Sequence, residues 1–246
     1  MQRHFDQELS RLRERLLRMA GTIETMIQAC LSAIHNKDAG ELSAVFEREQ
    51  AVNQLHRELS EMAVLLIARH QPVADDLRFL VAALSIIANL ERMGDLSVNL
   101  ARKVMDLVES TQPDPLLDRL VTMLETVQSM VVGSVDAFVR QDTSGAEKVL
   151  QADDSVDAAR DEMTRTVVDL IPSDRGKSLA YIESLLASRN IERIADHATN
   201  VAEQVIYLVQ GKDVRHQIGE SHEKPGSWRA VRSIPPDGAP STETPR

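Results

Sequence analysis

Phe5, Leu9, Leu12, Leu16, Met19, Ile23, Met26, Cys30 and Ile34 follow one another in steps of three and four. That spacing puts all of them on one face of a helix roughly eight turns long. An apolar stripe of that length needs other helices laid alongside it, as in a bundle. The rest of the chain supplies them. Asp38 offers an N-cap oxygen, and a second helix runs from there to about His70. Pro72 breaks the pattern and can open a third helix, which reaches about Glu109. Thr111-Gln112-Pro113-Asp114-Pro115 is the central break. Beyond it Leu120, Met123, Val127, Met130 and Phe138 line a fourth helix. Asp142 caps a fifth that reaches about Leu170, and Pro172 precedes a sixth that runs to about Gln210.

The second half repeats the first. Asp38 and Asp142, Glu49 and Asp153, and Val52 and Val156 are each 104 positions apart. Pro72 and Pro172 are 100 apart, and Glu91 and Glu192 are 101 apart. A near-constant offset across unlike residue types means that one unit of about 100 residues occurs twice. The sequence therefore predicts an all-α fold: two tandem three-helix bundles, six long helices in all, with a flexible C-terminal tail. The first unit spans 1–110, the second 114–216, and the tail 217–246. The stretch 218–246 holds five of the nine prolines and the only tryptophan, Trp228, a composition too poor in apolar residues to offset the entropy of ordering.

Composition agrees and excludes several functions. Apolar residues make up 43% of the 246, enough for a core, but aromatics only 3%, which suits helix-on-helix packing. A net charge of −10 repels a phosphate backbone, so nucleic acid is not an expected partner. The one basic cluster, Arg11, Arg13, Arg15 and Arg18, is interleaved with Glu14 and is expected on a solvated flank. A single cysteine, Cys30, excludes an internal disulfide and sits on the apolar stripe. The start carries no apolar run of secretory type, and no apolar run reaches the ~20 residues that span a bilayer, so the expected location is the cytoplasm.

The two third helices carry the informative motif. The first reads Leu90-Glu91-Arg92-Met93-Gly94-Asp95 and the second Ile191-Glu192-Arg193-Ile194-Ala195-Asp196, each followed by an Asn four positions on, Asn99 and Asn200. Glu91 with Asp95, and Glu192 with Asp196, stand one turn apart on one face. Like charges so placed cost a helix about 0.2–0.5 kcal/mol. Two readings offset that cost. Arg92 and Arg193 can pair with the acids, or a divalent cation can bind there, since carboxylates are hard oxygen ligands. The metal reading assigns Glu91, Asp95, Glu192 and Asp196 as ligands and needs more donors from neighbouring helices. The candidates are Glu49, Asn53, His56, Glu58 and Glu61 on the second helix, and Asp153, Asp154, Asp157, Asp161 and Glu162 on the fifth.

Several segments resemble the PhoU family, accessory proteins of bacterial high-affinity phosphate uptake. Gln71-Pro72-Val73-Ala74-Asp75-Asp76-Leu77-Arg78 resembles one conserved stretch of that family, the two Glu-Arg-x-x-Asp segments resemble its signature, and Gly211-Lys212-Asp213-Val214-Arg215-His216 resembles its C-terminal motif. The resemblance covers about residues 4–217. It implies a usually dimeric cytoplasmic regulator that represses the phosphate-starvation response when phosphate is plentiful. Its implied partners are the ATPase subunit of the phosphate ABC transporter and a membrane sensor histidine kinase. Some members bind iron or zinc clusters through paired acid-x-x-x-acid motifs, one pair of motifs per bundle. The third and sixth helices of this chain keep their copies. On the second and fifth helices the partner motifs are expected near residues 56–60 and 160–164, and neither stretch is an acid-x-x-x-acid pair. The second unit has Ser173-Asp174-Arg175-Gly176 where the first has Asp75-Asp76-Leu77-Arg78.

An enzyme is not expected. A di-metal oxidase of the bundle class needs Glu-x-x-His on two helices, and no Glu in the helical region has a His three residues later. No HExxH, GxSxG or P-loop pattern occurs. The alternative to the regulator is a metal-binding helical bundle with a structural or storage role.

Overall fold

A computed structural model describes residues 2–110 and 115–210, all within one compact unit. The described residues form six α-helices: α1 (Gln2–Asn36), α2 (Ser43–His70), α3 (Ala74–Glu109), α4 (Leu117–Arg140), α5 (Thr143–Ser173) and α6 (Ser178–Gln210). No strand occurs among the described residues. Helices α1–α3 pack on one another as one three-helix bundle and α4–α6 as a second; the bundles join along α3 with α6 and α1 with α4.

Local chemistry sets the boundaries. The Asp38 carboxylate accepts from Gly40 N–H at 2.8 Å and starts a short 3₁₀ turn that leads into α2. Asp142 does the same for Ser144 N–H at the head of α5, at 3.0 Å. Gln71 and Gln141 close α2 and α4 in left-handed conformation, their N–H groups bonding back into the last turn. Pro72 leaves α3 to begin at Ala74. Pro172 departs from expectation: it lies inside the last turn of α5, which runs on to Ser173. Asp174 N–H then reaches back to Leu170 O, so the turn closes despite the N–H that proline lacks. The sixth helix starts after a further 3₁₀ turn, Arg175–Lys177.

The α1 stripe is the core of the first bundle: Leu12, Leu16, Met19, Ile23, Met26 and Cys30 have no exposure at all. Burial pushes the Cys30 thiol up to about 12. Each bundle also carries a solvent-accessible ion pair that the repeat duplicates. Arg15 of α1 pairs with Glu58 of α2, and Arg119 of α4 pairs with Glu162 of α5 at 2.9 Å; both members are shifted by 104 positions. Arg13 and Arg15 therefore do not lie on a solvated flank, whereas Arg11 and Arg18 do. Arg13 lies over the Phe79 ring, 4.7 Å from its centroid, and Phe79 stacks on Phe138 of α4 at 4.8 Å. That stack links the bundles at one end. The expected motif 211–216 and the tail lie outside the described residues, as does most of the central break.

Candidate acidic faces on the third and sixth helices

Helices α3 and α6 run antiparallel. His197 Nδ1 of α6 donates to Asn89 Oδ1 of α3 at 2.9 Å, and Lys103 of α3 pairs with Glu183 of α6 at 2.9 Å. Moving forward along one helix thus means moving back along the other. Burial, with Arg193 and Arg92 nearby, holds the His197 imidazole below its ordinary range, so it serves as a neutral hydrogen-bonding link. The buried seam of the two helices is matched position for position: Leu90 with Ile191, Met93 with Ile194, Leu100 with Val201 and Val104 with Val205 are all fully buried. That seam fixes the rotation of each helix and turns its acids away from the core.

On the first face Glu91 and Asp95 are partly exposed. Arg92 reaches across them, with Nε 3.6 Å from Glu91 and Nη1 3.8 Å from Asp95. Its side chain is 66% exposed, so these contacts are worth little. The register of α2 against α3 is set where Val52 packs on Gly94. Glu49 and Asn53 flank Val52 on the stretch of α2 that runs past the acids.

The second face is more crowded. Glu192 is mostly covered, at 19% exposure. Asp153 of α5 is pushed up to about 7, first by burial and then by the charges of Asp157, Asp196, Asp154 and Glu192. The acids facing α6 are therefore Asp153 and Asp157, an acid-x-x-x-acid pair placed seven residues, about two turns, before the expected positions 160 and 164. The matching residues of the first unit are Glu49 and Asn53, not 56–60. The 104-residue offset already joined Glu49 to Asp153, and following it one turn further finds Asp157. Glu58 and Glu162 belong to the outer ion pairs and take no part in either face. Arg160 does: its Nη2 is 3.6 Å from Glu192 and 3.6 Å from Asp157, and its Nη1 is 2.7 Å from Asp161.

Among the described residues, no three His, Cys, Asp or Glu side chains are gathered closely enough to hold a metal ion. As placed, the donor sets do not fit a metal cluster on either face. No described helix is long and apolar enough to cross a membrane.

The PhoU domain matches this chain twice, over residues 16–104 and again over 120–205. This chain belongs to the PhoU family. A PhoU homologue of Pseudomonas putida, named as a phosphate-specific transport system accessory protein, is 34% identical over 212 residues, which is 86% of this chain and 83% of the relative. The PhoU protein of Escherichia coli K12, of the same name, is 31% identical over 220 residues, 89% of this chain and 91% of its own. The crystal structure of PhoU from Pseudomonas aeruginosa superposes with a TM-score of 0.81 at 34% identity, covering 85% of this chain and all of that one. A phosphate transport system regulatory protein PhoU from Streptococcus pneumoniae gives a TM-score of 0.77 at 25% identity, covering 85% and 98%. The two matched segments coincide with the two bundles. The PhoU relatives carry the names of accessory and regulatory proteins, not of enzymes.

Proposed function

We propose that this protein is a cytoplasmic regulator of phosphate uptake. It represses the phosphate-starvation response in high phosphate by linking the phosphate ABC transporter, through its ATPase subunit, to a membrane sensor histidine kinase. The observation that carries this reading is the paired PhoU match, with relatives named for the phosphate-specific transport system over most of the chain. The surface is consistent with docking. Each unit presents its acids on an outward face, and apolar side chains stay exposed at matching positions, Val64 with Val168 and Val81 with Ile182. The acidic faces dock the partners, and the protein acts as a homodimer. Deletion of the gene should raise phosphate-starvation output in high phosphate. Re-expression of a variant with Glu91, Asp95, Glu192 and Asp196 all changed to Ala should fail to restore repression, although the protein folds. Unchanged output after deletion would sink the role, and full rescue by the variant would sink the docking face.

A second reading is a metal-binding bundle with a structural or storage role, taking iron, zinc or another divalent cation. It requires the exposed Arg92 to leave Glu91 and Asp95 and further donors to gather beside them. Elemental analysis of protein purified without chelator tests it; less than stoichiometric metal counts against it.

A further inference from the structure

The antiparallel register of α3 and α6 brings the two copies of one arginine together. Asn89 of α3 meets His197 of α6, and Lys103 meets Glu183 further along the same groove. Arg92 lies three residues forward of Asn89, and Arg193 lies four residues back from His197. In an antiparallel pair those two steps run the same way, and steps of three and four keep to one face of each helix. The two guanidiniums therefore stand across the groove from each other, about one turn beyond the Asn89–His197 bond. Both act on the His197 ring: after burial, Arg193 and then Arg92 hold the imidazole below its ordinary range. The field in the groove is thus positive, although the whole chain carries −10. Arg189, exposed and one turn beyond Arg193 on α6, extends the row.

The carboxylates of the second motif turn the other way. Glu192 and Asp196 act on Asp153 of α5, and Arg160 of α5 reaches Glu192. Arg92 meets Glu91 and Asp95 only at 3.6 and 3.8 Å, with 66% of its side chain exposed, so it can turn into the groove at little cost. The wall beside the arginines is fixed. Asn89 Nδ2 donates to Ser85 O at 2.9 Å, while its Oδ1 accepts from His197.

We propose that Arg92 and Arg193 form a binding site for a dianionic tetrahedral oxyanion, inorganic phosphate or the terminal phosphate of a nucleotide, in the groove between α3 and α6. This site is separate from the acidic faces and from the metal reading. Each arginine brings one full charge and a fork of N–H donors, which matches the paired oxygens of a phosphate. Two such forks from opposite walls balance a dianion and leave a monoanion such as chloride poorly matched.

Full-length protein in metal-free buffer of low ionic strength is titrated in isothermal calorimetry with sodium phosphate, sodium sulfate and ATP. The parent is compared with Arg92→Gln, Arg193→Gln, the double variant and Arg11→Gln. Arg11 is exposed on α1, so its variant loses the same charge elsewhere. Circular dichroism checks each fold. The parent should bind about one phosphate per chain, displaced by sulfate and not by an equal concentration of chloride. On phosphate addition the amide signals around Arg92 and His197 should move in its heteronuclear NMR spectrum. Arg92→Gln and Arg193→Gln should each weaken binding about tenfold, and the double variant should lose it. Arg11→Gln should bind as the parent does. Phosphate held as tightly as ATP identifies the free anion as the ligand. ATP held at least about tenfold more tightly, and lost in the same variants, identifies the nucleotide. A parent that binds none of the three would overturn the proposal. So would folded Arg92 and Arg193 variants that bind as the parent does, or an Arg11→Gln protein weakened as much as they are.

Discussion

Gly94 of α3 packs against Val52 of α2, and replacing it with Ala tests how the first bundle is packed. A methyl group on Gly94 would sit 2.9 Å from Val52 Cγ1, with Val52 Cβ and Cγ2 at 3.6 and 3.7 Å. Carbon atoms prefer about 3.5–4.0 Å, so the first contact is a clash. Val52 is β-branched and keeps one rotamer in a helix, so it cannot swing aside; the helices must part. Overpacking of this kind costs about 1–3 kcal/mol. Ala gains about 1 kcal/mol over Gly in a helix interior. Gly94→Ala should therefore destabilise by about 0–2 kcal/mol, a fall in Tm of about 2–4 °C per kcal/mol for a chain of this size. Val52 decides the sign. In a Val52→Ala background the methyl has room, and Gly94→Ala should stabilise by up to about 1 kcal/mol. Urea denaturation followed by circular dichroism on the four proteins of the cycle measures the coupling. The same effect of Gly94→Ala in both backgrounds would refute the packing argument. The second unit already carries the larger residue at this place, a fully buried Ala195, so its α5 and α6 are spaced for a methyl.

Ile87→Ala, at a site with no exposure, should cost about 2–5 kcal/mol in urea denaturation, and a loss below 1 kcal/mol would mean that this face of α3 is not buried. Asp153 titrates near 7 when folded against 3.8 ordinarily, so the folded state holds the extra proton between those values. Its contribution to stability then falls as pH rises from about 4 to about 7. In chelated buffer, Asp153→Asn should raise Tm at pH 8, with the gain shrinking towards pH 5; an equal gain at both would refute the crowding. Cys30, its thiol pushed up to about 12 by burial, should resist a thiol reagent at pH 8 until the protein is denatured; rapid labelling of native protein would place it at the surface. A double-mutant cycle on Arg119 and Glu162 should give only about 0.2–1 kcal/mol, because both side chains are solvent-accessible.

The helices were legible because spacing alone sets which residues share a face. The α1 stripe, the Asp38 and Asp142 caps and the α3 and α6 seams all lie where the periodicity puts them. The PhoU resemblance was legible for the same reason, since its motifs are short and local. What spacing does not fix is how neighbouring helices are rotated and offset against each other. Arg13 and Arg15 read as a solvated flank from α1 alone, yet α2 and α3 bring Glu58 and Phe79 to meet them. The partner acids on α5 were sought about two turns too late for that reason. In the first unit that register is set where Val52 meets Gly94. Pro172 was expected between the fifth and sixth helices, but a proline in a final turn forfeits one bond only, and α5 continues past it.

Because α3 and α6 lie head to tail, one polypeptide has the layout that two identical subunits adopt around a twofold axis. Identical subunits share one gene, so any substitution strikes both halves at once. A fused pair escapes that constraint: here one half has His56 where the other has Arg160. Duplication has thus given this protein symmetry of shape without obliging it to keep symmetry of chemistry.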